Sequence, residues 1–265
     1  MQMQNDNVYD FHPAVAVLYD EYFIEQDYVE FIRRLIGERY GWHILEPFCG
    51  TGRILLDLAG KGHYVFGIDQ AEHFLQRLQY KSYLLTEENR HKVETRLADA
   101  LHTSWSNQMD LVILGSNCFD ELPTPETQET CIRKAYNALR PGGFIYVDND
   151  HMEGNLSESW QNYSVCEAFP TGCTRDNIDL KTMRQAVWFD VRKRLIRFKR
   201  QTVITDPKEG ISEVNFIQQK HPVSKREVEN WLINTGFSIL KVYGDYQGNI
   251  YTKKSKRAIF WAQKV

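Results

Sequence analysis

No run of about 18 apolar residues occurs in the chain, so nothing in it reads as a membrane-spanning helix. The opening "MQMQNDNVYDFHP" has neither a cationic start nor an apolar core, which argues against a secretory signal. Cysteine is scarce and unpatterned: Cys49, Cys118, Cys131, Cys166 and Cys173 are odd in number and never spaced CxxC. That excludes a disulfide framework or a zinc-type ligand set, and reduced thiols in a cytoplasmic protein are expected. No metal-ligand cluster stands out. A basic surplus is also missing: 32 lysines and arginines face 35 acids, for a net charge of −3. Dedicated nucleic-acid binders usually carry the opposite balance. There is no internal repeat and no low-complexity linker.

What is present is an ordinary globular composition, 42% hydrophobic and 25% charged over 265 residues, long enough for one enlarged domain or two small ones. Tyr28, Val29, Ile32, Leu35 and Ile36 recur at helical spacing and predict an N-terminal helical cap over 1–40. An alternation follows. "HILEPF" predicts a strand, "RILLDLAG" a helix closing on Gly60, "HYVFGID" a strand and "AEHFLQRL" a helix. "VETRLADA" predicts a strand entering a loop, and "DLVILG" a strand buried on both faces. Thr124-Pro125 starts a helix whose apolar face includes Cys131, with Pro141-Gly142-Gly143 ending it before the strand "FIYVD". Such alternation means a parallel sheet covered by helices.

After Asp150 the rhythm changes. "MRQAVWFDV", "RLIRFKRQTVITD" and "ISEVNFIQQK" predict antiparallel strands. Ser224 and Glu227 then form a capping-box pattern opening a helix stopped by Gly236, and "FSILKVYG" and "RAIFWAQKV" close the chain as a hairpin. The expected fold is α/β: a doubly wound, mostly parallel seven-stranded sheet with an antiparallel β-rich insertion after strand 5. Its parts are the cap 1–40, a core of 41–150 and 224–265, and the insertion 151–223, a lid or dimer interface.

The stretch "EPFCGTGR", Glu46 to Arg53, places a glycine turn behind the first strand, where open α/β sheets bind ligands. A dinucleotide fingerprint fails because Leu55 stands where its third glycine belongs, and a phosphate loop fails because no Gly-Lys-Ser/Thr follows. Glu46 would repel a phosphate and suits an ammonium or hydroxyls. Asp69 ends the second strand, where a carboxylate can accept from ribose hydroxyls. Asp99 ends the third, where it could accept from an adenine amine while the Ala100 backbone meets a ring nitrogen. Three acids at successive strand ends describe a nucleoside with a cationic tail.

"LEPFCGTG", "FGID", "LADA", "DLVILGSNCF" and "LRPGGFIYVD" resemble, in order, the motifs of class I S-adenosylmethionine-dependent methyltransferases of the small-molecule type, over residues 43 to 150. The resemblance implies a Rossmann-like methyltransferase fold with S-adenosyl-L-methionine as cofactor and S-adenosyl-L-homocysteine as product. It implies that Glu46 and the Gly50-Thr51-Gly52 backbone hold the amino-acid part, Asp69 the ribose with Gln70 beside the adenine, and Asp99 and Ala100 the adenine edge. Ser116 and Asn117 approach from the substrate side, and Tyr19, ahead of the first helix, covers the cofactor carboxylate. One departure from the family pattern is Phe48, which replaces the first glycine. Either the chain takes another path there or Phe48 lines the methionine end.

Other residues carry two readings each. Arg53 reaches a carboxylate or is a surface arginine. His151 is a base past the fifth strand or makes a structural hydrogen bond. Asp120 and Glu121 collect a substrate ammonium or are solvated, with Asp120 the second candidate base. The run Arg192-Lys193-Arg194 reads as a solvated turn, and Trp160, Tyr163, Trp188 and Phe189 as acceptor pocket or core packing. The expected activity is in-line methyl transfer to nitrogen or oxygen of a small-molecule acceptor. Two other readings are a nucleic-acid amino-methyltransferase, although no proline follows Asn117, and a non-catalytic cofactor-binding partner subunit. A homodimer through the insertion is a further expectation.

Overall fold

The computed structural model describes residues 7–22 and 27–265; residues 1–6 and 23–26, parts of the expected 1–40 cap, lie outside the described residues. Two helices come first, α1 (Pro13–Tyr22) and α2 (Asp27–Ile36). The alternating region follows as β1 (His43–Pro47), α3 (Arg53–Gly60), β2 (Tyr64–Asp69), α4 (Glu72–Ser82), α5 (Glu87–Arg90), β3 (Val93–Leu97), β4 (Met109–Leu114), α6 (Pro125–Ala138) and β5 (Leu139–Asp150). The insertion holds β6 (Cys166–Cys173), β7 (Asp179–Asp190), β8 (Leu195–Asp206) and β9 (Gly210–Lys220), and α7 (Lys225–Thr235), β10 (Phe237–Tyr243) and β11 (Arg257–Lys264) close the chain.

Seven strands pair in the order β10-β11-β5-β4-β1-β2-β3. Strands β1 to β5 are parallel, and β11 runs antiparallel to both β5 and β10. The order reverses between β1 and β4, which opens a crevice at their carboxyl ends. Ile44, Val65, Leu111 and Ile113 face α2 and α3, while Leu45, Val112, Leu114, Ile145 and Val147 face α6 and α7, so the central strands are buried on both sides while the edge strands β3 and β10 are more exposed. Among the described residues no helix is long and apolar enough to cross a membrane.

Local chemistry sets the element ends. Thr124 and Ser224 each cap a helix through a reciprocal capping box, and Gly236 ends α7 at φ 106, a conformation that favours glycine. The expected stop at Pro141-Gly142-Gly143 differs: α6 ends at Ala138, and the Pro-Gly-Gly lies inside β5, where the β4–β5 register shifts. Tyr19 lies within α1 rather than ahead of the first helix.

The insertion forms its own antiparallel sheet, β6-β7-β8-β9. Along β8 alternate side chains are buried, and Ile196 and Phe198 pack with Leu156 and Ala186. Residues 7–22 are wedged between this sheet and the core. Val15 and Leu18 share a cluster with Ala71 and Phe74 on one side and Leu180 and Ile204 on the other. Asp20 pins the wedge by accepting from Thr51 Oγ1 (2.6 Å), Arg77 Nε (2.9 Å) and Lys81 Nζ (2.8 Å).

Candidate functional site

A cavity of about 1290 Å³ opens at the carboxyl ends of β1 to β4 and extends beneath β9. Of the expected cofactor residues, Tyr19, Phe48, Gly50, Arg53, Asp69, Gln70, Asp99, Ala100, Ser116 and Asn117 line it. Asp69 and Asp99 therefore share one cleft. Glu46, Thr51 and Gly52 sit in the layer behind its surface. Thr51 turns its hydroxyl to Asp20. Gly52 has φ 77, and a Cβ there would lie 2.5 Å from Leu78 Cγ, so glycine is required for α4 to pack.

The turn after β1 keeps a glycine-type backbone at Phe48 despite its side chain. Its φ is 143, a region that costs a non-glycine residue about 1–3 kcal/mol. The Phe48 ring lines the cavity. Asp69 holds the same turn: Oδ2 accepts from Gly50 N (2.7 Å) and Oδ1 from Ala71 N (2.9 Å). Burial raises the Asp69 pKa to about 6, against the lowering effect of those backbone donors.

Glu46 is 6% exposed, and its Oε2 has no hydrogen-bond partner. Burial pushes its carboxyl well above the usual range, with the Arg53 guanidinium opposing. Arg53 Nη2 donates to Tyr19 Oη (3.2 Å), and the guanidinium lies 4.7 Å from the Tyr19 ring and 5.4 Å from that of Tyr28. On the adenine side, Asp99 Oδ1 accepts from Leu101 N (2.8 Å), Oδ2 pairs with His102 Nδ1 (2.7 Å), and the Ala100 carbonyl accepts from Trp105 Nε1 (2.7 Å).

The opposite wall comes from the turn after β4 and from the insertion. Asp120 lies in a single 3-10 turn, Cys118–Glu121, and its carboxylate lines the cavity without a hydrogen-bond partner among the described residues. Burial raises its pKa to about 6; the Lys220 ammonium opposes, and Glu121 and Asp150 reinforce the rise. Its neighbour Glu121 gathers three donors: Tyr9 Oη (3.0 Å), Gln218 Nε2 (2.6 Å) and Lys220 Nζ (2.9 Å). One carboxylate of the core thereby ties down both the N-terminal wedge and β9.

Several expectations are corrected. His151 does not line the cavity: Nε2 meets the Ser255 carbonyl at 2.9 Å, Nδ1 faces Glu153 at 3.4 Å, and the ring packs on Tyr251. It is a structural residue tying β5 to the β10–β11 loop. Trp160, Tyr163, Trp188 and Phe189 do not line the cavity either; Trp160 and Phe189 pack within the insertion's own cluster. Arg194 is no solvated surface residue, since it donates to the Pro222 and Gly154 carbonyls and pairs with Glu227. Asn117 lines the cavity, but Asp150 and Arg257 hold its side chain.

The fold also gathers His12, Asp206 and Glu209, nearly 200 residues apart in sequence, into a group with potential ligand atoms within 4.8 Å. His12 Nδ1 accepts from Ala14 N (3.1 Å), which leaves the ring proton on Nε2, toward Asp206 (3.8 Å). In that tautomer neither ring nitrogen offers a free lone pair to a metal. Sequence reasoning missed Tyr9, Phe74, Gln218, Lys220, Tyr246 and Arg257 in the cavity wall. No local spacing marks them as site residues, because they arrive from the wedge, α4, the insertion and the last hairpin.

Residues 44–143 match the family model described as a methyltransferase domain. Residues 44–143 thus carry a methyltransferase domain, and the fold and acidic strand ends are consistent with the class I S-adenosylmethionine-dependent methyltransferases. It is similar to the Bacillus subtilis (strain 168) protein named "Putative methyltransferase YqeM", 23% identical over 262 residues, covering 96% of this chain and 97% of that one. Its fold is similar to an S-adenosylmethionine-dependent methyltransferase from Clostridium acetobutylicum ATCC 824 (TM-score 0.72, 15% identity, 94% of this chain and 97% of that one). It also resembles the sugar N-methyltransferase KedS8 from Streptoalloteichus sp. ATCC 53650 (TM-score 0.68, 16% identity, 100% and 98%).

The residues present fit the cofactor. The orphaned Glu46 Oε2 is a buried acceptor suited to an ammonium donor, and Asp69 and Asp99 keep lone pairs free for hydroxyl and amine donors.

Proposed function

We propose that the protein methylates a nitrogen of a small, polar, cationic acceptor, with Asp120 as the group that receives the acceptor's ammonium and takes its proton. The observation that carries this reading is the unpartnered Asp120 carboxylate in the cavity wall, whose pKa of about 6 suits a base at neutral pH. S-adenosylmethionine, when bound, supplies a methyl group activated on a sulfonium. Glu46 would hold its ammonium, Asp69 its ribose, Asp99 and Ala100 its adenine, and the Arg53–Tyr19 pair its carboxylate.

The charge of the cavity supports a cationic acceptor. Asp27, Asp69, Asp99, Asp120 and Glu121 line it against Arg53, Lys220 and Arg257, and Lys220 and Arg257 are already paired with carboxylates. Its 1290 Å³ exceeds the ~300–1,000 Å³ typical of one drug-sized ligand, so cofactor and acceptor fit together. Gln218 and Lys220 give the insertion a share of the acceptor wall. Fold neighbours named as sugar N-methyltransferase and amino pentose methyltransferase make amino sugars the first acceptors to try. The acidic wall would repel a phosphodiester backbone, which weighs against nucleic acid.

The test is a panel of amines and matched alcohols, read by formation of S-adenosylhomocysteine. Turnover should fall on amines, and Asp120→Asn should lower kcat/KM by about 10²–10⁴-fold at neutral pH. An unchanged Asp120→Asn enzyme, or turnover confined to alcohols, overturns the reading. Cofactor binding with no turnover on any acceptor favours a partner subunit.

A further inference from the structure

The geometry points to Arg257, at the head of β11, as a positioning residue: through Asp148, Asp150 and Asn117 it fixes the turn that presents Asp120 to the acceptor side of the cavity. The role of that turn in transfer rests on the proposed function; the hold itself does not.

Four of the five N–H donors of the Arg257 guanidinium are engaged. Nε and Nη2 donate to Asp148 Oδ1 (2.9 and 2.7 Å), Nη1 to Asp150 Oδ1 (2.7 Å), and Nη2 also to Asn117 Oδ1 (2.9 Å). Asp148 is fully buried, and its Oδ2 accepts from Tyr246 Oη (2.8 Å). Asn117 is clamped from the other side. Its Nδ2 donates to Asp150 Oδ2 (3.0 Å), its Oδ1 accepts from Asp150 N (2.7 Å), and its own amide donates to the Asp148 carbonyl (3.2 Å). Asp120 hangs from this residue, its amide donating to the Asn117 carbonyl (2.9 Å).

Backbone strain says why such a clamp is present. Ser116 and Asn117 are consecutive non-glycine residues at φ 53 and 61. A strained turn persists only where its surroundings over-determine it, and strain of this kind concentrates at functional sites. Arginine suits the post because its planar fork can grip two carboxylates and an amide oxygen at once, which a lysine ammonium cannot do with the same geometry. Four charged groups face Asp120: Glu121 beside it, Lys220 from β9, Asp150 from β5 and Arg257 from β11. Asp150 and Arg257 act on it with opposite sign.

That opposition gives a test that general damage cannot mimic. With ¹³C-labelled aspartate and Asp120→Asn to assign the signal, the Asp120 carboxyl is titrated by NMR in the full chain. Its midpoint should rise in Arg257→Gln and fall in Asp150→Asn; Asp150 is an exposed side chain, so its variant remains testable if the first does not fold. Arg257→Lys should keep the charge and lose the fork, lowering kcat about 10- to 100-fold on an amine acceptor while S-adenosylhomocysteine affinity holds. Midpoints that stay put or move in the same direction, or a lysine variant with full kcat, overturn the inference. Should the titration respond as expected while the pH–rate profile lacks an acid limb, Asp120 as proton acceptor fails and the hold by Arg257 stands.

Discussion

Replacing Glu46 by glutamine should make the free protein more stable and the cofactor complex weaker. In the free protein the carboxylate is 6% exposed with Oε2 unpartnered, and burial raises its pKa well above the usual range. A carboxyl raised in the folded state contributes stability that is full below its unfolded pKa of ~4.3 and is lost as pH rises through the folded pKa. Glutamine keeps the shape and removes that loss. The variant should therefore melt above the wild type at pH 8, with the gap narrowing toward pH 5 in calorimetry. Binding moves the other way. A hydrogen bond between charged groups contributes about 1.5–3 kcal/mol, or roughly 10- to 100-fold in Kd. Titration calorimetry should show that loss for S-adenosylhomocysteine. Methylthioadenosine, which lacks the amino-acid end, should bind both forms alike. Equal loss of both ligands, or a variant that melts lower at pH 8, refutes the reasoning.

Three further outcomes follow from the geometry. Phe48→Gly should be more stable than Phe48→Ala by about 1 kcal/mol in urea melts, reversing the usual order, because alanine keeps the strain at φ 143. Glu121→Ala should cost about 1–3 kcal/mol at pH 7, since it leaves Tyr9, Gln218 and Lys220 without their shared acceptor. Burial alone would raise the Glu121 pKa, but Lys220 lowers it overall, so this stability is present above the unfolded pKa and fades as pH falls through the folded one; denaturant melts from pH 7 down to pH 3 should see the deficit shrink. His151→Gln should leave kcat/KM and its pH profile unchanged while lowering stability by about 1 kcal/mol through the lost bond to the Ser255 carbonyl.

The parallel core was legible because its signals are local. Apolar runs such as "DLVILG" and capping boxes such as Ser224–Glu227 act over a few residues, and the acids at the ends of β1, β2 and β3 sit beside their strands. Strand β6 was not legible, since "CEAFPTGC" has a glycine and a proline and little alternation, and pairing with β7 creates it. The base candidates divided for a similar reason. Asp120 and His151 both follow a strand end, but the fold turns one into the cavity and seals the other under Tyr251. The grip on Asn117 comes from Arg257, 140 residues later, and nothing in the sequence near Asn117 announces it.

The wedge formed by residues 7–22 sets an order on biosynthesis. These residues leave the ribosome well before Leu180 and Ile204, against which Val15 and Leu18 settle. Loop closure over such a separation is slow, so a nascent chain carries this apolar segment unsheltered through most of translation. The segment that walls one side of the cavity therefore cannot dock in full until the insertion has been made.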